Sequence, residues 1–163
     1  MILSILFLIL CATVVGGQTP PVYKFDPKYD TCGSGSFSDF RMQYLEGTYI
    51  MCLRWSDSPL TFFGARNYCQ IRGTRLGVFD TMDKMKILQT RNNLTLIGLD
   101  DLKTEGKFIW HNGAELNNAP NSGFFNEDEP SNSAGIEDCV VLHGSLLNDV
   151  TCTTLYDFVC ELV

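Results

Sequence analysis

Glu129-Pro130-Ser131-Asn132-Ser133-Ala134-Gly135-Ile136-Glu137-Asp138-Cys139-Val140-Val141-Leu142-His143-Gly144-Ser145-Leu146-Leu147-Asn148-Asp149-Val150-Thr151-Cys152 is the stretch on which the fold turns, followed by Asp157-Phe158-Val159-Cys160-Glu161. Cys139 to Leu142 and Asp157 to Cys160 are short, apolar and β-branched, and they read as core strands. The residues before the first strand are polar and acidic. Glu129, Ser131, Glu137 and Asp138 precede it, and Asn148 and Asp149 follow it. Carboxylate, amide and hydroxyl oxygens are hard ligands. Several converging at ~2.3–2.6 Å make a calcium site of roughly six to eight oxygens. Without a cation, such carboxylates repel and desolvate one another. Composition alone leaves open the alternative of a solvated acidic loop.

Working outward, the charge is concentrated here. The chain carries 19 acids and 12 bases, a net −7. Between Asp100 and Val150 there are ten acids and only two bases, Lys103 and Lys107, a net −8. The remainder carries nine acids and ten bases, or +1. A nucleic-acid binder needs a basic patch, and this balance argues against one.

Upstream, Tyr49 to Trp55 is β-branched and aromatic enough for a strand. Asp57 or Ser58 can cap a helix with Pro59 in its first turn. Phe62, Ala65, Tyr68 and Cys69 recur at helical spacing, and Gly73 suits the end. Leu76 to Phe79 reads as a short strand. Asp80 or Thr81 then caps a second helix with Met82, Met85 and Leu88 as its apolar stripe and Ile87 beside it. Leu94 to Leu99 is a compact apolar run. Lys107 to Trp110 reads as a strand before the turn signal Asn112-Gly113. Asn117 to Gly135 is a long irregular stretch with Phe124 and Phe125 as anchors, and such stretches are functional or disordered. The class is α+β.

At the start, Met1 to Gly17 is uncharged and apolar from Ile2 to Val15 apart from Ser4 and Thr13. About 14 apolar residues are too few to span a ~30 Å hydrocarbon core. With Val15-Gly16-Gly17 as a cleavage site, residues 1–17 read as a secretory signal peptide, although no basic residue precedes the apolar run. A short membrane anchor is the competing reading. Residues 18–31, with Pro20-Pro21, form an extended lead-in, and 32–163 the domain. Removal of 17 residues from 163 leaves 146 and takes Cys11 with it. Six cysteines remain: Cys32, Cys52, Cys69, Cys139, Cys152 and Cys160. An even set in an oxidising compartment reads as a disulfide framework. Zinc binding is the alternative, but no Cys-x-x-Cys spacing occurs. Fifteen connectivities are open to six cysteines. Asn93-Leu94-Thr95 is an N-glycosylation sequon.

Catalytic readings are weaker. No Gly-x-Ser-x-Gly elbow and no His-Glu-x-x-His motif occurs. His111 and His143 read as loop or surface histidines. A glycosidase needs one carboxyl in an apolar cleft, and this acidic loop is polar. The chain is expected to bind and not to catalyse.

Several ordered matches over about 65 residues make the chain similar to the C-type lectin domains. Leu96-Ile97-Gly98-Leu99 resembles the family's Trp-Ile-Gly-Leu strand. Glu129-Pro130-Ser131 stands where the family has Glu-Pro-Asn or Gln-Pro-Asp. Leu147-Asn148-Asp149 resembles Trp-Asn-Asp, and the Glu137-Asp138-Cys139, Cys152 and Phe158-Val159-Cys160-Glu161 spacing agrees. The resemblance covers about Cys32 to Val163.

It implies a C-type lectin-like fold: two helices packed on antiparallel sheets, a long irregular calcium-binding loop, and disulfides Cys69–Cys160, Cys139–Cys152 and Cys32–Cys52. It implies Ca2+ as cofactor, held by Glu129, Ser131, Glu137, Asn148 and Asp149 with Pro130 in the cis form. Two sugar hydroxyls would coordinate that calcium and hydrogen-bond to the same side chains. An auxiliary calcium would take Asp101, Glu105, Asn132 and Asp138. In the family, Glu-Pro-Asn accompanies mannose-type sugars and Gln-Pro-Asp galactose-type sugars. Glu-Pro-Ser is neither. The expected partners are glycans or glycoproteins, with no membrane insertion after signal removal and with oligomerisation for avidity. The expected setting is extracellular, with recognition of microbial glycans in innate immunity as a role. The alternative is a lectin-fold protein that binds a protein or surface ligand without sugar.

Overall fold

A computed structural model describes Cys32 and residues 38–46, 48–88 and 94–163. The expected signal peptide, the lead-in and the Asn93 sequon lie outside the described residues.

Ten elements follow in chain order: β1 (Arg41–Leu45), β2 (Thr48–Trp55), α1 (Phe62–Gln70), β3 (Arg75–Leu76), α2 (Met82–Leu88), β4 (Thr95–Asp100), β5 (Ile109–Trp110), β6 (Cys139–His143), β7 (Leu146–Val150) and β8 (Asp157–Leu162). The strands join in the order β1-β2-β8-β4-β6-β7, with β3 also on β8 and β5 also on β4. Every pairing is antiparallel except β4 with β8, which is parallel through Thr95↔Asp157 and Leu96↔Phe158. Terminal strand β8 therefore pairs with β2, β3 and β4, tying the two ends of the domain together.

Alternation along the strands splits the core into two clusters. Ile97, Leu99, Val140, Leu142, Leu147 and Val159 pack with Met85 and Leu88 of α2. Leu96, Cys139, Val141, Phe158 and Cys160 pack with Phe62, Ala65 and Cys69 of α1. The two helices thus cover opposite sides. Fully buried Phe40, Phe62, Phe79, Phe108 and Phe158 are the largest core side chains. Burying one phenylalanine is worth about 1.5–3 kcal/mol.

The start of α1 differs from expectation. Its cap is Thr61, whose hydroxyl accepts from the Gly64 N–H at 3.2 Å, and not Asp57 or Ser58. Leu60 is held extended by a two-way backbone bridge to Tyr156, at 2.9 and 3.0 Å. The helix cannot begin before that bridge ends. Gly73 takes the left-handed conformation three residues beyond Gln70. Met82 is exposed, because the stripe through Met85 and Leu88 rotates away from it. Strand β1, which pairs antiparallel with β2, is not among the strands read from the sequence.

Among the described residues there are three disulfides, Cys32–Cys52, Cys69–Cys160 and Cys139–Cys152. The first joins the start of the domain to β2. The second joins α1 to β8, and the third joins β6 to the turn after β7.

Candidate functional site

The long loop between β5 and β6 is pinned at its middle. Phe125 is buried against Phe108, with ring centroids 5.2 Å apart, and Phe124 lies edge-on to Trp110 at 6.5 Å. The loop backbone then docks on β7. Leu147 N–H donates to the Phe124 carbonyl at 2.8 Å, and Asn126 N–H donates to the Leu147 carbonyl at 2.9 Å. Leu147 is fully buried, so the latch sits one residue before Asn148-Asp149. Leu147 is quoted in the sequence only as the Leu-for-Trp position beside Asn148, and Asn126 is not singled out there; their latching role rests on backbone groups.

Beyond the latch the chain turns sharply. Glu129-Pro130 is cis, and Asp128, Asn132, Ala134 and Gly135 have positive φ. This course wraps backbone amides around carboxylates. Ser131 N–H lies 2.9 Å from both Glu129 Oε2 and Asp149 Oδ1. Asn132 N–H donates to Asp149 Oδ2 at 2.7 Å. Ser131 Oγ and Ser133 N–H donate to Glu137 Oε2 at 3.2 and 2.7 Å. Four of the five expected ligand residues, Glu129, Ser131, Glu137 and Asp149, therefore meet around one serine. Asn148, next to Asp149, donates its amide N–H to the Asp149 carbonyl at 2.9 Å, a bond that does not use its amide oxygen.

Burial, with Asp149 within hydrogen-bonding reach and adding its charge, pushes the Glu129 carboxyl up to about 7. Asp149 itself is 1% exposed. Two acids held this close, in a site of oxygen donors only, have the chemistry that suits a hard divalent cation.

The auxiliary set is less complete. Asp101 is 2% exposed, its Oδ2 accepts from Gly106 N–H at 2.7 Å, and its Oδ1 has no hydrogen-bond partner. Burial pushes its carboxyl up to about 6, and the charges of Glu105 and Asp138 add to the shift. An orphaned buried carboxylate oxygen fits a cation ligand. Asn132 is directed elsewhere, its Oδ1 accepting from Glu137 N–H at 3.2 Å. Among the described residues, no three His, Cys, Asp or Glu side chains close into a metal-holding group. Glu129, Glu137 and Asp149 of the main set meet through hydrogen bonds to Ser131 and do not themselves close into such a group.

His143 is exposed, as expected. His111 lies in a turn, as a loop histidine would, but it is half-buried: its Nε2 lies 3.2 Å from Asp100 Oδ2, and it stands edge-on to Phe62. Among the described residues, no helix is long and apolar enough to cross a membrane.

Comparison with known proteins agrees with this architecture. Residues 58–162 match the family model of the Lectin C-type domain. Over 88% of this chain and 69% of its own length, the hepatic lectin of Gallus gallus is 31% identical. The hemolymph lipopolysaccharide-binding protein of Periplaneta americana is 30% identical over 67% of this chain and 48% of its own length. The chain thus spans about half of that relative and somewhat over two thirds of the other. Among solved structures, the trimeric Kupffer cell C-type lectin receptor superposes with a TM-score of 0.63 at 28% identity, covering 74% of this chain and 81% of that one. The α+β fold, the disulfides, the matched model and the identity to hepatic lectin agree on one assignment: the chain belongs to the C-type lectin family.

Proposed function

We propose that the protein is a secreted, calcium-dependent carbohydrate-binding protein that recognises microbial glycans. The observation that carries this reading is the convergence of Glu129, Glu137 and Asp149 on Ser131. Glu129, Ser131, Glu137, Asn148 and Asp149 would hold the calcium, which supplies a Lewis-acidic centre for vicinal sugar hydroxyls. The same carboxylates accept hydrogen bonds from those hydroxyls, and the Asn148 amide orients them. Asp101, Glu105 and Asp138 would hold a second ion. Asn132, turned toward Glu137, is the least suited of that set. Similarity to a hemolymph lipopolysaccharide-binding protein supports a microbial ligand, and similarity to a trimeric receptor supports oligomerisation. Secretion rests on the apolar leader, and modification at Asn93 on its sequon.

Extracellular calcium modules have Kd values of roughly 10⁻⁴–10⁻³ M, so ~1 mM calcium stabilises by only about 0.4–1.4 kcal/mol per site. The test is binding to a panel of immobilised glycans with calcium, with chelator, and with Glu129→Ala. Binding is expected in calcium alone, with a melting temperature that falls on chelation. Binding that chelator leaves unchanged sinks the mechanism. Absence of glycan binding together with capture of a protein ligand favours the sugar-independent alternative, for which Ser131 in place of Asn or Asp is the motivating substitution.

A further inference from the structure

Three adjoining cavities of about 400, 220 and 250 Å³, reaching from the Lys103–Lys107 turn to α1, form one groove. The first two share Lys103, Lys107 and Ile109, and the last two share Asp100 and His111. The only two bases of the −8 segment, Lys103 and Lys107, thus line the same groove. Arg66 and Arg75, from α1 and β3, line its other end. Asp100 and His111, paired at 3.2 Å, lie between the two cationic ends.

These cations are not equally committed. Arg75 is held by Glu161 at 3.0 Å, and that carboxylate is buried and also accepts from Val78 N–H. Lys107 pairs with Glu115 at 3.0 Å, but the side chains are 51% and 41% exposed, and exposed pairs exchange partners at little cost. Lys103 and Arg66 have no carboxylate partner among the described residues. The Arg66 guanidinium rests over the Phe63 and Phe62 rings at 5.3 and 5.9 Å, which holds its fork in place without neutralising it.

Two positive ends with a hydrogen-bonding pair between them suit one ligand chemistry. Guanidinium and ammonium groups take tetrahedral oxyanions through charge-assisted hydrogen bonds. The Asp100–His111 pair offers an acceptor and a ring nitrogen to hydroxyls. We infer that this groove binds an anionic saccharide, a sulfate or phosphate ester of a sugar, independently of calcium. Arg66 anchors an oxyanion at one end and Lys103, with Lys107, at the other. The inference does not rest on the loop site.

The experiment is a calorimetric titration of the whole secreted chain, in chelator, with three probes: a sulfated heparin disaccharide, glucose 1-phosphate, and an unsulfated disaccharide. Saturable binding of at least one ester is expected, weakening as salt rises from 0.05 to 0.5 M because the contacts are exposed to solvent. The two ester arms separate sulfate from phosphate. Arg66→Glu with Lys103→Glu should weaken binding at least tenfold. Arg66→Gln with Lys103→Gln, a milder pair, should weaken it in the same direction, and thermal melting checks that both variants fold. Glu129→Ala should leave ester binding unchanged. The inference is overturned by no saturable ester binding, by equal binding of the unsulfated sugar, or by full affinity in either folded double variant. It is also overturned by ester binding that is absent in chelator and appears when the titration is repeated in calcium, which would assign the ligand to the loop. Failure of the loop site shows instead in the glycan panel, where calcium is present.

Discussion

Ser131 was legible as the one departure from the ligand pattern, but not as its centre. Its amide reaches two carboxylates and its hydroxyl a third. Backbone amides carry no residue signature, so that role depends on the turn and not on the side chain. Asp80 has a similar history. Of the two cap candidates for the second helix, Asp80 and Thr81, it is Thr81 whose hydroxyl accepts from Lys84 N–H, at 3.3 Å. Asp80 bridges elements: Lys84 Nζ lies 2.7 Å from one oxygen and Asn112 Nδ2 2.8 Å from the other. Burial opposes ionisation there, yet hydrogen bonds from Lys84 and Asn112, with the charge of Lys84, hold its carboxyl below the ordinary value. A lowered folded-state pKa means that the native chain binds fewer protons than the unfolded one. Its stabilisation is therefore complete above about pH 4 and is lost as pH falls through the folded-state value. Asp80→Asn is expected to reduce the fall in urea midpoint between pH 6 and pH 3. An identical fall in both proteins would show that the pair contributes nothing.

At the scale of elements, the Ile97-Gly98-Leu99 strand shows what a short motif encodes. Gly98 N–H donates to the Gly77 carbonyl and the Gly98 carbonyl accepts from His111 N–H, both at 2.8 Å. A Cβ on Gly98 would lie 2.7 Å from the Leu76 carbonyl oxygen and 3.0 Å from the His111 side chain. The glycine is required by close approach of three chain segments. Gly98→Ala is expected to cost about 1–3 kcal/mol by overpacking. Denaturant titration checks it, and a loss below about 0.5 kcal/mol would mean that β3 and His111 move aside freely. The two Leu-for-Trp positions, Leu96 and Leu147, are fully buried and remove no oxygen donor. The sequence shows β8 as a short core strand and β4 as a compact apolar run, whereas their parallel pairing leaves no sign in it.

For the whole molecule, the disulfides and the charge distribution divide the work. Cys69–Cys160 closes a sequence separation of 91 and Cys139–Cys152 one of 13. Loop closure in the unfolded chain gives about 3 kcal/mol for a short ring and about 4.7 kcal/mol for one near 100 residues. Replacing Cys69 and Cys160 by alanine should therefore destabilise more than replacing Cys139 and Cys152. Urea unfolding of the two double variants tests the order, and a reversed order would show that native packing outweighs chain entropy. The acidic segment also resolves into parts. Glu115 pairs with Lys107 and Asp100 with His111, while Glu129, Glu137 and Asp149 gather with no base among them.

The sequence by itself determined the α+β class, the even cysteine set, the alternation that makes two core faces, and the oxygen-rich residues of the loop. Each of these is local: residue type and spacing carry it. Tertiary structure alone decided which strands pair and where α1 starts. It also decided that Asn126 and Leu147 latch the loop and that Arg66 and Lys103 line one groove. Alternation says which face a side chain takes but not which strand lies beside it. Partners that are distant in sequence leave no local trace, and backbone amides acquire direction only when the chain is folded.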